Sequence, residues 1–326
     1  VGEYALRQPA ARIGVIGYGA ITDEIVRCLE LRGQLHTLAG VLGRPEKISA
    51  LADRAAGRFP VFAELKQLLA RKPDIVIEAA GHGAMHAFAA DVLNTGCDLL
   101  IASTGALADA KLADTLVASL ANGADVWLAS GAVAGIDGLL AARTAGLRSV
   151  TYTSLKGPAA WQGTPARALL GAAARTQRVI FFSGSAREAA LHYPQNANVG
   201  ATIALAGIGL DRTRVELGAD PHVPGPLGII EAEGEFGSFK FDILALASCA
   251  QPEDVRADRP QPRCSRARRH VLPRRRRLTR RNERASSSII EPLGHRAPSC
   301  TPEHTSPRVI PGVKRTNELS QFLQTP

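Results

Sequence analysis

Two glycines spaced by one residue, Gly17 and Gly19, follow the β-rich run Arg12–Ile16 and open a helical pattern at Ala20 and Ile21. Glycines at that spacing permit a tight turn and let backbone N–H groups approach a pyrophosphate, whose charge is favoured at a helix N-terminus. The chemistry this implies is binding of a nicotinamide dinucleotide, NAD or NADP, by Gly17, Gly19, Ala20 and Ile21. Thr22 stands where the dinucleotide fingerprint has its third glycine. At the tip of the second strand an Asp or Glu would bond the ribose 2′-OH of NAD, yet the chain reads Val41-Leu42-Gly43-Arg44. Arg44 either accepts a 2′-phosphate, which gives NADP or dual use, or is a solvated surface arginine. Two more segments, Glu78-Ala79-Ala80-Gly81-His82 and Ser103-Thr104-Gly105-Ala106, put small residues at strand ends, where they leave room for ribose and nicotinamide. Gly81, His82 and Thr104 therefore join the expected cofactor cleft. For His82 the alternative is a loop histidine without a role.

Such residues need a parallel sheet beneath them. The first half of the chain alternates strand candidates (Arg12–Ile16, Leu35–Val41, Asp74–Ala79, Asp98–Ala102, Asp125–Ala129) with helical patterns at Glu46–Ala56, Ala84–Asn94 and Ala110–Asn122. In the first helix Ile21, Ile25 and Leu29 recur at helical spacing, and Gly33 closes the turn. The fold class expected is α/β, a Rossmann-type doubly wound sheet over residues 12–130. A smaller α/β substrate domain over residues 131–248 follows, with strands at Ser149–Leu155, Arg178–Phe182 and Thr213–Leu217. Helices are expected at Ile136–Ala145, Ala186–His192 and Val199–Gly207. A hairpin of Ile229–Glu233 and Phe239–Leu246 ends it, burying Phe239, Phe241 and Ile243 on one face.

The chain of 326 residues is 45% hydrophobic, enough for a substantial core, and carries a formal net charge of +9. That charge is not spread evenly. From Cys249 onward there are 17 basic and 7 acidic residues, leaving 22 and 23 in residues 1–248, so the body is nearly neutral. No apolar run reaches the roughly 18 residues of a membrane span, and the expectation is a cytoplasmic protein without a membrane partner. Cys28 and Cys97 lack C-x-x-C spacing and read as buried free thiols; no metal site is expected. The run Arg274–Arg277 with Arg280 and Arg281 raises a nucleic-acid binder as an alternative, but without interleaved aromatics no nucleic-acid partner is assigned.

The glycine turn and the two strand-end segments, together with Ser130-Gly131-Ala132, Gly184 to Ala190, Tyr193-Pro194-Gln195-Asn196-Ala197-Asn198-Val199, Ala219-Asp220-Pro221 and Glu233 to Gly237, occur in one order. In that order they resemble the L-aspartate dehydrogenase family, over about residues 12–248. The resemblance implies NAD(P)-dependent oxidation of aspartate at Cα to iminosuccinate, which feeds NAD biosynthesis or hydrolyses to oxaloacetate and ammonia. It implies dinucleotide contacts at Ala132 and Asn198; the other reading of Asn198 is a helix N-cap. An aspartate-like small molecule needs a cation, for which Lys156 at a strand end is assigned, with an exposed lysine the alternative. The N–H groups of Ser185 and Ala186 at a helix start are assigned as an anion site. The family's catalytic histidine falls on Gly228, which cannot transfer a proton. His222 is the remaining imidazole nearby, if its loop folds back. A catalytically impaired dinucleotide-binding homologue is thus an alternative function, and a homodimer is compatible with the sequence.

The family pattern continues past this hairpin into Asn-Pro-Lys-Thr-Ser and a helix, whereas this chain reads Gln251-Pro252-Glu253-Asp254-Val255. Back-translated with permitted codons and read one base later, residues 251–265 encode that family run. The expectation is a frameshift near Ser248–Gln251, which makes residues 249–326 an aberrant, disordered Arg/Pro-rich tail.

Overall fold

In a computed structural model, residues 11–131, 133–245 and 313–314 are described. Ala132 and the Arg-rich run lie outside them, as does the tail expected to be disordered except for Val313–Lys314. All described residues belong to one unit of the chain, Val1–Ala257 with Val309–Pro326.

Six parallel strands form the first sheet: β1 (Ile13–Ile16), β2 (Leu38–Leu42), β3 (Val61–Phe62), β4 (Ile75–Glu78), β5 (Asp98–Ile101) and β6 (Val126–Ala129). Their order is β6-β5-β4-β1-β2-β3, doubly wound, with the switch point between β1 and β4. A seventh strand, Val313–Lys314, pairs antiparallel with β6 and was not anticipated from the sequence. The helices are α1 (Ala20–Leu31), α2 (Ile48–Ala55), α3 (Leu65–Leu69), α4 (His82–Asn94) and α5 (Ala110–Ser119). Strand residues buried from both sides, Val15, Val41, Val76, Leu99, Ile101 and Val126, are the apolar positions that a sheet sandwiched by helices demands.

One helix face departs from expectation. In α1 the buried residues are Thr22, Val26 and Leu29, while Ile21 is 52% exposed. The reason is Thr22, whose Oγ1 donates to Gly17 O at 3.0 Å and turns that side of the helix inward. The residue that breaks the three-glycine fingerprint closes the turn in its place.

The expected division at Ser130 falls between β6 and α6 (Ile136–Thr144). Beyond it a five-stranded mixed sheet has the order β11-β10-β7-β9-β8. Its strands are β7 (Leu147–Lys156), β8 (Val179–Ser185), β9 (Arg214–Ala219), β10 (Leu227–Gly234) and β11 (Gly237–Leu244). Helices α7 (Ala166–Leu170), α8 (Ala186–His192) and α9 (Asn198–Ala206) belong to this part. Phe239, Phe241 and Ile243 are half-buried while their neighbours on β11 are exposed, as the alternation predicts. A short 3-10 turn after β5, Thr104–Ala108, is buried throughout and packs against α8 and α9. One apolar core therefore runs from Leu99 and Leu116 through Leu107 to Ala201 and Leu217.

Candidate active site

The carboxyl ends of the parallel strands converge on a cavity of about 600 Å³ whose lining includes Gly17, Gly19, Gly43, Arg44, Ala80 and Phe88. Gly17 has φ +122°, and a Cβ there would stand 2.4 Å from the carbonyl oxygen of Ala79. Only glycine lets β1 and β4 approach so closely at the switch point. Gly19 caps α1 without a side-chain bond and has open space where a Cβ would point. Ala20 and the outward Ile21 complete the first turn. This is the cradle a pyrophosphate needs, so these residues fit a dinucleotide.

Glu78, 1% exposed at the end of β4, organises the two neighbouring loops. Its Oε1 accepts from Ala80 N at 2.7 Å, Gly81 N at 2.8 Å and Ser103 Oγ at 3.0 Å. Its Oε2 accepts from Ser103 N at 3.0 Å. The β4–α4 loop that carries Gly81 and His82 is thereby tied to the β5 loop that carries Thr104 and Gly105. No local pattern gives Glu78 a role, because its second partner lies 25 residues away.

Asn198 joins these loops to the other sheet. It is the first residue of α9, not its N-cap, and its Oδ1 accepts from Gly105 N at 3.0 Å and lies 3.3 Å from His82 Nε2. A Cβ on Gly105 would come 2.8 Å from that oxygen, which explains the glycine. Thr104 Oγ1 bonds to Asn198 O at 2.8 Å and shares a hydrogen bond with Thr202 Oγ1 at 2.9 Å. Four expected cofactor residues, Gly81, His82, Thr104 and Asn198, thus meet in one network, while Ala132 lies outside the described residues. The Asn198 Nδ2 makes no hydrogen bond among the described residues and keeps its donor capacity.

Lys156 ends β7, and its Nζ donates to Asn196 Oδ1 at 2.8 Å, two residues before Asn198. The structure therefore brings the expected substrate cation to the loop that carries Asn198, over the Trp161 ring at 5.3 Å. Trp161 is fully buried and donates to Gly218 O at 3.1 Å, which fixes the end of the strand pair.

Two expectations need correction. Ser185 is not an anion site: its N–H and Oγ donate to Glu188 Oε2 at 2.8 and 2.9 Å in a capping box, and Ala186 N donates to Thr213 O. The first amide is consumed by the helix start and the second by Thr213 O, and the Ser185 bonds hold the Glu188 carboxyl below its usual range. His222 does not fold back. It is exposed, its N–H donates to Asp220 Oδ1 at 2.8 Å, and its Nε2 lies 3.1 Å from Thr176 O. Burial raises the Asp220 carboxyl, but the His222 N–H and Arg178, at 3.0 Å, outweigh it and bring it net below the ordinary value. Arg187 bonds Asp211 through both Nε and Nη2 and donates to Ala108 O at 2.5 Å.

Gly228 pairs with Ser154 of β7, and a Cβ there would stand 3.1 Å from the Tyr152 ring and hydroxyl. Arg44 leaves the tip of β2, exposed, and its Nε donates to Tyr18 OH at 2.8 Å.

The family model described as aspartate dehydrogenase, C-terminal, matches residues 137–256, and the one described as homoserine dehydrogenase, NAD binding domain, matches residues 17–129. An L-aspartate dehydrogenase of Cupriavidus taiwanensis is 38% identical over 251 residues, covering 74% of this chain and 91% of the relative. Another, of Ruegeria pomeroyi, is 41% identical over 242 residues, covering 74% and 86%. The crystal structure of an aspartate dehydrogenase from Thermotoga maritima has the same fold, with a TM-score of 0.54 at 22% identity over 72% of this chain and 88% of that one.

Proposed function

The chain belongs to the L-aspartate dehydrogenase family, and we propose that it oxidises L-aspartate to iminosuccinate with NAD or NADP as hydride acceptor. It is an NAD(P)-dependent oxidoreductase of the Rossmann class. The observation that supports the aspartate reading is the Lys156 Nζ bond to Asn196 Oδ1, which ties a cation to the segment that carries Asn198, the expected cofactor contact.

When bound, the nicotinamide supplies the hydride acceptor, and the protein must position Cα and manage charge. Gly17, Gly19 and the start of α1 hold the pyrophosphate, and Arg44 borders the adenosine end. Asn198, fixed by Gly105 and His82, offers its amide N–H groups to the carboxamide or ribose. Lys156 binds a substrate carboxylate by a charge-assisted bond and so favours a dicarboxylate over an alkyl side chain. Oxidation removes a hydride from Cα and a proton from nitrogen, leaving a C=N bond. That nitrogen must be neutral before the hydride departs. With Gly228 at the family's histidine position and His222 bonded to Thr176 O, the amine proton passes to water. The product imine feeds NAD biosynthesis or hydrolyses to oxaloacetate and ammonia, in the cytoplasm.

A second reading, a dinucleotide-binding homologue with little turnover, is favoured by Gly228 alone. One assay separates the two: appearance of reduced dinucleotide at 340 nm with the full chain and L-aspartate, D-aspartate, L-glutamate or L-alanine. Turnover that is fastest with L-aspartate and rises with pH through the substrate amine's ionisation supports the proposal. Binding of reduced dinucleotide without turnover of any of the four establishes the second reading instead.

A further inference from the structure

Tyr152, Ser154 and Lys156 alternate onto one face of β7, and Gly228 of β10, paired with Ser154, stands on that same face. Helix α9, which begins with Asn198, packs over it. One same-face step along the strand, about 7 Å, separates the level of Gly228 from Lys156, the cation expected to hold a substrate carboxylate. The side chain that reaches the Gly228 level is Tyr152.

Its ring is clamped between two glycines. A Cβ on Gly200 of α9 would stand 3.4 Å from Tyr152 Cδ1, and one on Gly228 would stand 3.1 Å from both Cε2 and the hydroxyl oxygen. The first contact is ordinary packing, whereas the second would require the tyrosine to give way. Tyr152 as a whole is 5% exposed and Gly228 is half-buried. A glycine here keeps the tip of the phenol uncovered on the β10 side, where any larger residue would cap it.

The surroundings also settle what the hydroxyl can do. Burial pushes the phenol above its ordinary range, and the hydrogen bond to Ser154 offsets only part of that. At neutral pH the group is therefore an O–H donor and not a base, which suits it to a carboxylate and leaves water as the destination of the amine proton. Lys156 and this hydroxyl offer two separate partners for anionic groups along one strand face.

We propose that the Tyr152 hydroxyl is a substrate-binding group, which donates to one carboxylate of a dicarboxylic amino acid while Lys156 binds the other, and that Gly228 is the small residue that opens the way to it. The inference rests on the aspartate reading and adds a specificity-determining residue to it. A monocarboxylic substrate engages only one of the two groups.

The test is calorimetric titration of the full chain, saturated with reduced dinucleotide, with succinate and with propionate, in wild type, Tyr152→Phe, Gly228→Ala and Lys156→Ala, together with KM and kcat for L-aspartate. Wild type should bind succinate more tightly than propionate by about tenfold or more. Tyr152→Phe keeps the ring and removes the donor, so it should weaken succinate by roughly 10- to 100-fold and bring it close to propionate. The same variant should raise KM for L-aspartate by a similar factor with kcat changed less than about threefold, as loss of a uniform binding contact requires. Its affinity for reduced dinucleotide should be kept, which reports that the fold survives. Gly228→Ala covers the hydroxyl without removing it and should shift succinate in the same direction by a smaller factor. Unchanged succinate affinity in Tyr152→Phe, with Lys156→Ala weakening it, overturns the role of Tyr152 and keeps the aspartate reading. Wild type that binds neither acid and turns over no L-aspartate overturns the aspartate reading, and with it this inference.

Discussion

Replacing Glu78 by glutamine tests whether one buried carboxylate sets the geometry of both cofactor loops. The side chain is 1% exposed and receives four hydrogen bonds of 2.7–3.0 Å, from Ala80 N, Gly81 N, Ser103 N and Ser103 Oγ. A glutamine amide nitrogen cannot accept any of them. The cheaper orientation keeps the oxygen on Ala80, Gly81 and Ser103 Oγ and turns the amide nitrogen toward Ser103 N–H, so that two donors face each other. One buried N–H then goes unsatisfied, which costs about 1–3 kcal/mol. The three remaining bonds lose their charge assistance, each by roughly half of about 1.5–3 kcal/mol. Relief from burying a charge offsets part of this, and the net loss expected is about 2–4 kcal/mol, a large share of a typical domain's stability. Urea unfolding of the full chain measures it. Because Gly81 and Gly105 sit on the two loops being untied, the dissociation constant for reduced dinucleotide should rise tenfold or more in the same variant. Glu78→Asp should not rescue either effect, since one methylene less cannot span both loops. A stability loss below about 1 kcal/mol with unchanged dinucleotide affinity would refute the reasoning.

Other perturbations separate binding from folding. Asn198→Ala strips Gly105 N–H of its acceptor and should cost about 1–3 kcal/mol, whereas Asn198→Asp keeps the acceptor and loses only the amide donor. The aspartate variant should therefore unfold near the wild-type midpoint yet bind reduced dinucleotide at least tenfold more weakly, as read by fluorescence titration. Gly17→Ala places a Cβ 2.4 Å from Ala79 O at φ +122° and should cost about 2 kcal/mol or more, seen as a lowered urea midpoint. For pH dependence, burial, then Asp98 and Asp74, push the Cys97 thiol up to about 12 from 9.0. The unfolded chain ionises this thiol first, so its contribution is fully present below about pH 9 and is lost as pH rises to about 12. Cys97→Ala should flatten that part of the stability profile; identical slopes for the two proteins would show that Cys97 is not the cause. Gly228→His requires Tyr152 to give by a few tenths of an ångström. It should raise turnover of L-aspartate about tenfold or more and bend the pH–rate profile near the imidazole's range, and an unchanged profile would mean that position 228 does not reach the substrate.

The parallel sheet was legible because its signals are local. Strands β1, β4, β5 and β6 fall within one or two residues of their apolar runs, and α5 starts at Ala110 where Asp109 caps it. β3 was missed since Val61–Phe62 is too short for any period to show. The inward face of α1 was misread by one position. Ile21 looked like core by type, but Thr22 had a hydrogen bond to make with Gly17 O, and a polar residue with an internal partner displaces an apolar one from the buried face. Ser185 was misassigned although its correction was readable. Ser185-Ala186-Arg187-Glu188 is a capping-box pattern, which uses the N–H group that had been offered to a ligand.

The site was legible as residue types and illegible as connections. Gly81, His82, Thr104 and Asn198 were each named for a cofactor, yet what makes them one site is the docking of α9 on the 3-10 turn, across separations of 93 residues from Gly105 and 116 from His82. No periodicity carries information over that distance. The reason Gly105 is glycine appears only once the Asn198 oxygen stands 2.8 Å from where its Cβ would be. Glu78 follows the same logic in a stricter form. As a sequence letter it is a charged residue inside an apolar strand, which argues weakly against the strand. Inside the fold its carboxylate is satisfied by N–H and O–H donors alone, with no cation paired to it among the described residues. A buried acid of that kind is retained only where several backbone donors converge, and donors converge where loops end at the mouth of a cleft. The position of Glu78 is therefore itself an argument that the carboxyl edge of this sheet is where the chain binds its cofactor.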